Sequence, residues 1–135
     1  METQPSLPVL VLAVDDEESM VKFVGRVLRE AGYTVTTATS GANALQIVER
    51  DGVPQLLVTD LKMPLMDGDQ LAARLRKANP DMRVLYFTGF ADALFTAKHS
   101  LWAGEAYLDK PASVNALLEA VALLMYGHVH GGPKH

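Results

Sequence analysis

The chain of 135 residues has no cysteine. That absence excludes a disulfide scaffold, thiol catalysis and any zinc or iron-sulfur site built on thiolates, and it is compatible with a reducing compartment. Long apolar runs are missing too. No stretch approaches the ~18 residues that a membrane span needs, and the apolar run 7–14 has no basic leader, since the first Lys or Arg is Lys22. A soluble, cytoplasmic protein without membrane association is therefore expected. Basic charge is scarce: 12 Lys and Arg stand against 16 Asp and Glu, for a net charge of -4, and basic residues cluster no further than Arg74, Arg76 and Lys77. Direct binding of nucleic acid by charge is not expected. No Gly-x-Gly-x-x-Gly or Walker sequence follows the first apolar run, so a nucleotide-binding module would lack its phosphate loop.

What is present is an ordinary globular composition, 49% hydrophobic and 21% charged. At 14.6 kDa, surface scaling gives ~6,900 Å² folded against ~21,000 Å² unfolded, enough burial for one core. One domain is expected over 8–126, with an N-terminal extension 1–7 and a disordered Gly/His tail 127–135. Three of the four histidines lie in that tail, where His-x-His alone lacks the further ligands of a metal site.

Short apolar runs alternate with helical patterns along the domain. Strands are predicted at 9–14, 34–39, 56–59, 84–88 and 106–108, and the first, third and fourth are nearly continuously apolar, as strands covered on both faces must be. The first helix places Met20, Phe23, Val24, Val27, Leu28 and Ala31 on one stripe and stops at Gly32. Less regular patterns suggest helices at 41–50 and 92–101. Another begins at Asp67, with Leu71, Ala72, Leu75 and Ala78 inward, and ends before Pro80. A last helix follows Ser113, with Val114, Leu117, Leu118, Val121 and Met125 inward; its other face carries Ala116, Ala120 and Leu123 and only one charge, Glu119. The fold class is α/β: a flavodoxin-like, doubly wound (βα)5 domain with a five-stranded parallel sheet in the order 2-1-3-4-5.

In such sheets ligands bind outside the carboxyl ends of the strands. Those ends are polar in this chain: Asp15 and Asp16 after the first strand, Asp60 after the third, Thr88 after the fourth, Asp109 and Lys110 after the fifth. Taken singly, Asp15 and Asp16 could cap the first helix. Jointly, the acids form a cluster in which one pair ~5 Å apart repels by ~3 kcal/mol at an effective dielectric of 20. Protons or a cation must intervene, and an all-oxygen site suits Mg2+, which keeps waters and shares its coordination with phosphate. Asp60 can then serve as a carboxylate nucleophile that forms an aspartyl phosphate, with Lys110 supplying positive charge and Thr88 a hydroxyl donor. Asp67-Gly68 is read as a turn and helix cap.

The sequences Val14-Asp15-Asp16-Glu17, Val58 to Gly68, Thr88-Gly89 and Tyr107-Leu108-Asp109-Lys110-Pro111 resemble, in order, the signatures of the response-regulator receiver domain of two-component signalling, including its chemotaxis-regulator-like members. The resemblance implies that Asp60 is the phosphoacceptor, that Asp15, Asp16, Asp60 and the Lys62 backbone carbonyl bind Mg2+, and that Thr88 and Lys110 contact the phosphoryl group. It implies a sensor histidine kinase or histidine phosphotransfer protein as partner, and a cis bond before Pro111. It also implies a switch in which Thr88 and Tyr107 move as the face formed by the fourth helix, fifth strand and fifth helix changes shape; because the outer face of the last helix carries so little charge, phosphorylation-dependent self-association as a homodimer, or docking of a partner, is expected there. The chain would be a signalling module, not an enzyme beyond its own phosphorylation and dephosphorylation. Ala112 stands where the family more often has a bulky residue, and Lys62 and Phe90 occupy positions that influence hydrolysis. Two alternatives are a degenerate receiver serving as a docking or dimerisation module, and a haloacid dehalogenase-like phosphatase. The latter requires an acid two residues after the nucleophile, where this chain has Lys62.

Overall fold

The computed structural model describes residues 9–89, 94, 101 and 103–127. The apolar runs form β1 (Leu10–Val14), β2 (Thr34–Ala38), β3 (Leu56–Thr59), β4 (Arg83–Thr88) and β5 (Glu105–Asp109). All pair in parallel in one sheet of order β2-β1-β3-β4-β5, as the sequence predicts. Between the strands run α1 (Glu18–Glu30), α2 (Gly41–Asp51) and α3 (Gly68–Ala78), and a C-terminal helix (Val114–Tyr126) follows β5. Apart from Leu94 and Leu101, the predicted helix at 92–101 lies outside the described residues, as do the N-terminal extension, Phe90 and the tail beyond Gly127. Among the described residues, no helix is long and apolar enough to cross a membrane.

Alternation along the strands splits the core in two. Leu12, Val14, Leu57, Val84 and Tyr86 pack with α2 and α3 on one face of the sheet, while Val11, Ala13, Leu56, Val58, Leu85 and Phe87 pack with α1 and the C-terminal helix on the other. Because β1, β3 and β4 are covered on both sides, a polar residue within them would be buried, and polar groups are therefore displaced to the strand ends.

The helix caps follow local chemistry. Ser40 Oγ accepts the Asn43 amide at 3.0 Å, and Ser113 Oγ accepts the Ala116 amide at 3.0 Å. Asp67 is the N-cap of α3, and its backbone N–H donates to Gln70 Oε1 at 2.9 Å, so its structural reading holds. The predicted inward stripes need correction at their ends. Ala31, Ala78 and Val114 are exposed, because they are the C-cap of α1, the last residue of α3 and the first of the C-terminal helix, where each helix outruns the sheet; Val21, outside the predicted α1 stripe, is buried. At the amino ends of the strands, Arg76 and Glu105 approach to 3.6 Å with side chains only 11% and 1% exposed, and Arg76 also donates to the Met82 carbonyl.

Candidate functional site

The register of the sheet assembles the site. Val11 and Ala13 of β1 lie beside Leu56 and Val58 of β3, and Leu85 of β4 lies beside Val58, so one further step brings Asp15, Asp60 and Phe87 into a row on the α1 face. The chain leaves the sheet under tight backbone control: the Asp60 amide donates to the Val14 carbonyl at 3.0 Å and the Asp15 amide to that of Ala38 at 3.2 Å. Asp15 and Asp60 are buried, whereas Asp16 is exposed. One carboxylate oxygen from each of the three lies within 4.8 Å of the others. All the donors are hard oxygens, so the set fits an octahedral cation such as Mg2+ and gives nothing to a thiophilic metal.

Lys110 sits among these acids. Its Nζ is 2.6 Å from Asp15 Oδ2, 3.3 Å from Asp60 Oδ2 and 3.5 Å from Glu17 Oε1. The sequence places Lys110 near Asp60, but the shorter bond to Asp15 and the approach of Glu17 are found only in the structure. Each buried carboxylate divides its oxygens in the same manner: Asp15 Oδ1 accepts the Glu17 amide at 2.9 Å and Asp60 Oδ1 the Leu61 amide at 2.7 Å, while both Oδ2 atoms face the lysine. Burial pushes the Asp15 carboxyl up from the ordinary range and Asp60 adds to this, against the opposing pull of Lys110 and the Glu17 amide. Burial works against the Lys110 ammonium, yet bonding to Asp15 and the charges of Asp15 and Asp60 prevail and hold its pKa above the usual lysine value. Under the ammonium, the Phe87 ring centroid is 5.8 Å from Nζ. The Lys110-Pro111 peptide is cis.

The loop after Asp60 is held by close approaches. The Gly68 amide donates to the Leu61 carbonyl at 2.7 Å, and a Cβ on Gly68 would stand 2.0 Å from the Asp60 carbonyl oxygen, so only glycine fits. The Met66 side chain lies over Gly41, where a Cβ would come within 2.8 Å of its sulfur. Between Pro64 and Met66, whose amide bonds back to the Pro64 carbonyl at 2.8 Å, Leu65 adopts φ 71 and is 106% exposed, the geometry of a tight γ-turn. The exposed Lys62 lies in this loop with its Nζ 3.8 Å from Asp67 Oδ2.

Thr88 is buried at the end of β4, and its carbonyl accepts the Lys110 amide at 3.0 Å. Tyr107 pairs in register with Tyr86, is 42% exposed and belongs to the sheet edge, more open than a core residue. Sequence reading thus places Asp15, Asp16, Asp60, Thr88 and Lys110 at one rim, and the structure brings Asp15 and Asp60 into contact with Lys110 there, with an Asp16 oxygen within 4.8 Å of theirs. Sequence reading assigns neither Glu17 nor Phe87 to the site. The run of acids is the signal for Glu17, and the parity of β4 is the signal for Phe87.

A buried carboxylate beside a lysine, at a rim that also presents a hydroxyl and two further acids, can act as an oxygen nucleophile toward a phosphoryl group whose charge the lysine and a divalent cation offset. Residues 11–122 match the family model of the response regulator receiver domain. The chain is 36% identical over 117 residues to the transcriptional regulatory protein GlrR of Escherichia coli, a match covering 84% of this chain and 26% of GlrR, so it spans about a quarter of that relative. It is 30% identical over 115 residues to the response regulator receiver protein CpdR of Brucella abortus, covering 85% of this chain and 95% of CpdR. Among solved structures, the chemotaxis response regulator CheY4 of Vibrio cholerae superposes with a TM-score of 0.73 at 26% identity, covering 87% of this chain and 99% of CheY4.

Proposed function

We propose, from the premise that this chain belongs to the response regulator receiver domain family, that it is a phosphorylation-dependent signalling switch in which Asp60 accepts a phosphoryl group from a phosphohistidine. Receivers are signalling modules, and we infer the roles of the single side chains from their placement. The observation that carries the reading is the contact of Lys110 Nζ with Oδ2 of both Asp15 and Asp60, beside the exposed Asp16.

Transfer forms a bond between an Asp60 carboxylate oxygen and phosphorus as the phosphorus–nitrogen bond to the donor imidazole breaks, the electron pair leaving with nitrogen. Asp60 is poised for this because its Oδ1 is fixed by the Leu61 amide while its Oδ2 faces Lys110. Lys110 stands near enough to follow the negative charge onto the phosphoryl oxygens. Thr88 supplies a hydroxyl donor at the next strand end. Asp15, Asp16, Asp60 and the Lys62 backbone carbonyl would hold Mg2+, which when bound neutralises the acids and the phosphate oxygens. The donor is a sensor histidine kinase or a histidine phosphotransfer protein, met in the cytoplasm. Thr88 and Tyr107 then report occupancy to the face of β5 and the C-terminal helix. Tyr107 of β5 and Leu123 of the C-terminal helix are exposed apolar groups suited to a partner or a second copy of this chain.

Incubation with acetyl phosphate and Mg2+ should add ~80 Da, one phosphoryl group, labile to hydroxylamine and absent from Asp60→Ala. Unmodified protein under these conditions, or a modified Asp60→Ala variant, would refute the reading.

A further inference from the structure

We propose that Phe87 is a positioning residue for phosphoryl transfer: its ring is the floor that keeps the Lys110 ammonium between Asp15 and Asp60. This rests on the phosphoacceptor reading of Asp60 and assigns a role to a side chain that does not touch the phosphoryl group.

Three observations converge on this ring. Lys110 Nζ lies over it, 5.8 Å from the centroid, within the range in which a ring face attracts a cation. The ring is 2% exposed and is backed by Phe23 of α1, with centroids 6.5 Å apart and planes at 32°, so it cannot easily swing away. The register accounts for the placement: Leu85 and Phe87 of β4 pair with Ala106 and Leu108 of β5, and continuing that parity sets Lys110 one step beyond Phe87 on the same face.

The physical need is specific. A lysine has four rotatable side-chain bonds and a non-directional charge, so two carboxylates facing it define a region, not a point. Its side chain is largely buried, and burial works against the ammonium. An aliphatic floor would fill the same volume but offer the cation nothing in place of water. The negative face of an aromatic ring restores part of that interaction and confines the ammonium from below, leaving its N–H groups aimed at the carboxylates above. When the acceptor oxygen binds phosphorus, the ammonium is then already within reach of the charge that develops.

The test keeps shape and changes ring charge. Site-specific replacement of Phe87 by 4-fluoro-, 3,5-difluoro- and pentafluorophenylalanine weakens the negative ring face in steps at nearly constant volume, and Phe87→Leu removes it. The rate constant for modification by acetyl phosphate with Mg2+ should fall stepwise along the fluorinated series, by about two- to fivefold overall, the factor expected for one cation–π contact. In parallel, the Lys110 ε-methylene proton resonances should be shifted upfield by the ring in the parent protein and move toward ordinary lysine values in Phe87→Leu. A merely structural role predicts rates that follow side-chain volume and stay flat across the fluorinated rings. Flat rates, or unshifted Lys110 resonances in the parent, would overturn the proposal while the parent still gains its ~80 Da. A parent that gains no phosphoryl group would overturn the Asp60 reading and this assignment with it.

Discussion

Adding a single methyl group at each of three glycines should separate a backbone clash from a side-chain contact and from ordinary packing. In Gly68→Ala the new Cβ would meet the Asp60 carbonyl oxygen at 2.0 Å and Thr59 Cγ2 and Oγ1 at 3.0 Å. Reaching an ordinary carbon–oxygen contact requires α3 and the end of β3 to part by about 1.3 Å. That movement strains the 2.7 Å bond from the Gly68 amide to the Leu61 carbonyl and the 2.8 Å bond from Thr59 Oγ1 to the Asp60 carbonyl. With each bond worth about 1 kcal/mol net and overpacking about 1 to 3 kcal/mol, the expected loss is about 3 to 5 kcal/mol. In Gly41→Ala the obstacles are Met66 Sδ at 2.8 Å, Cβ at 2.9 Å and Cγ at 3.1 Å. The Met66 sulfur and Cγ can swing aside, but its Cβ moves only with the loop that carries it, so the cost is about 1 to 3 kcal/mol. In Gly25→Ala the nearest atoms, Arg29 Nη1 and Thr37 Cγ2, are at 3.3 Å, and the residue lies inside α1. There the helix propensity gained, up to about 1 kcal/mol, offsets the tight contact, and the variant should match or exceed the parent. Urea unfolding followed by circular dichroism, with the slope m checked for constancy, measures all three. Gly68→Ala should also be modified more slowly by acetyl phosphate, since the displaced carbonyl belongs to Asp60. A Gly68→Ala protein as stable as Gly41→Ala would refute the reasoning, because the α3 start could not then lie against the Asp60 carbonyl.

The remaining tests address charge. Tyr33 is pushed up to about 12, first by burial and then by Tyr126; below about pH 10 both folded and unfolded chains keep this proton, and as pH rises toward 12 only the folded chain keeps it, so stability falls. Discounted for solvent screening, the loss is roughly 1 to 2 kcal/mol, and a parent protein whose urea midpoint falls no faster than that of Tyr33→Phe from about pH 9 upward would count against it. Mg2+ at about a hundredfold its dissociation constant should stabilise the protein by about 2.7 kcal/mol, seen as a rise in Tm that a chelator reverses and that Asp15→Asn loses. A Tm indifferent to Mg2+ would remove the metal from the acid cluster. Arg76→Met removes the cation of a largely buried pair and its bond to the Met82 carbonyl and should cost up to about 3 to 5 kcal/mol, and Arg76→Met/Glu105→Leu should recover part of it in the same unfolding measurement.

The sequence states the row and column of the site more clearly than its contacts. Strand parity and the order of the sheet place Asp15 beside Asp60, because both strands are covered on both faces and a slip that drew either carboxylate into the sheet would bury it among apolar side chains. The strand limits were legible to within a residue or two for the same reason. The helix ends were not. Ala31, Ala78 and Val114 satisfy a 3.6-residue period, and only the finite length of the sheet leaves them exposed. The bond between Lys110 and Asp15 was illegible for a different reason: it joins groups 95 residues apart on strands separated by two others, and the choice between Asp15 and Asp60 is made by a flexible side chain.

That choice also explains why the resting site tolerates its own charge. Two buried acids in one row would repel by ~3 kcal/mol at ~5 Å and an effective dielectric of 20. Each spends its Oδ1 on a backbone amide of the turn that follows its own strand, Glu17 for Asp15 and Leu61 for Asp60, so neither carboxylate depends on the lysine to stay oriented. Of these two acids only the Oδ2 atoms face Lys110, so one ammonium, seated over the Phe87 ring, screens both. If Asp60 is the phosphoacceptor, as proposed above, a phosphoryl group arriving at its Oδ2 side would meet that cation without dismantling the turns that hold the acids. On that reading, the half of the site that changes and the half that does not are carried by different oxygens of the same two side chains.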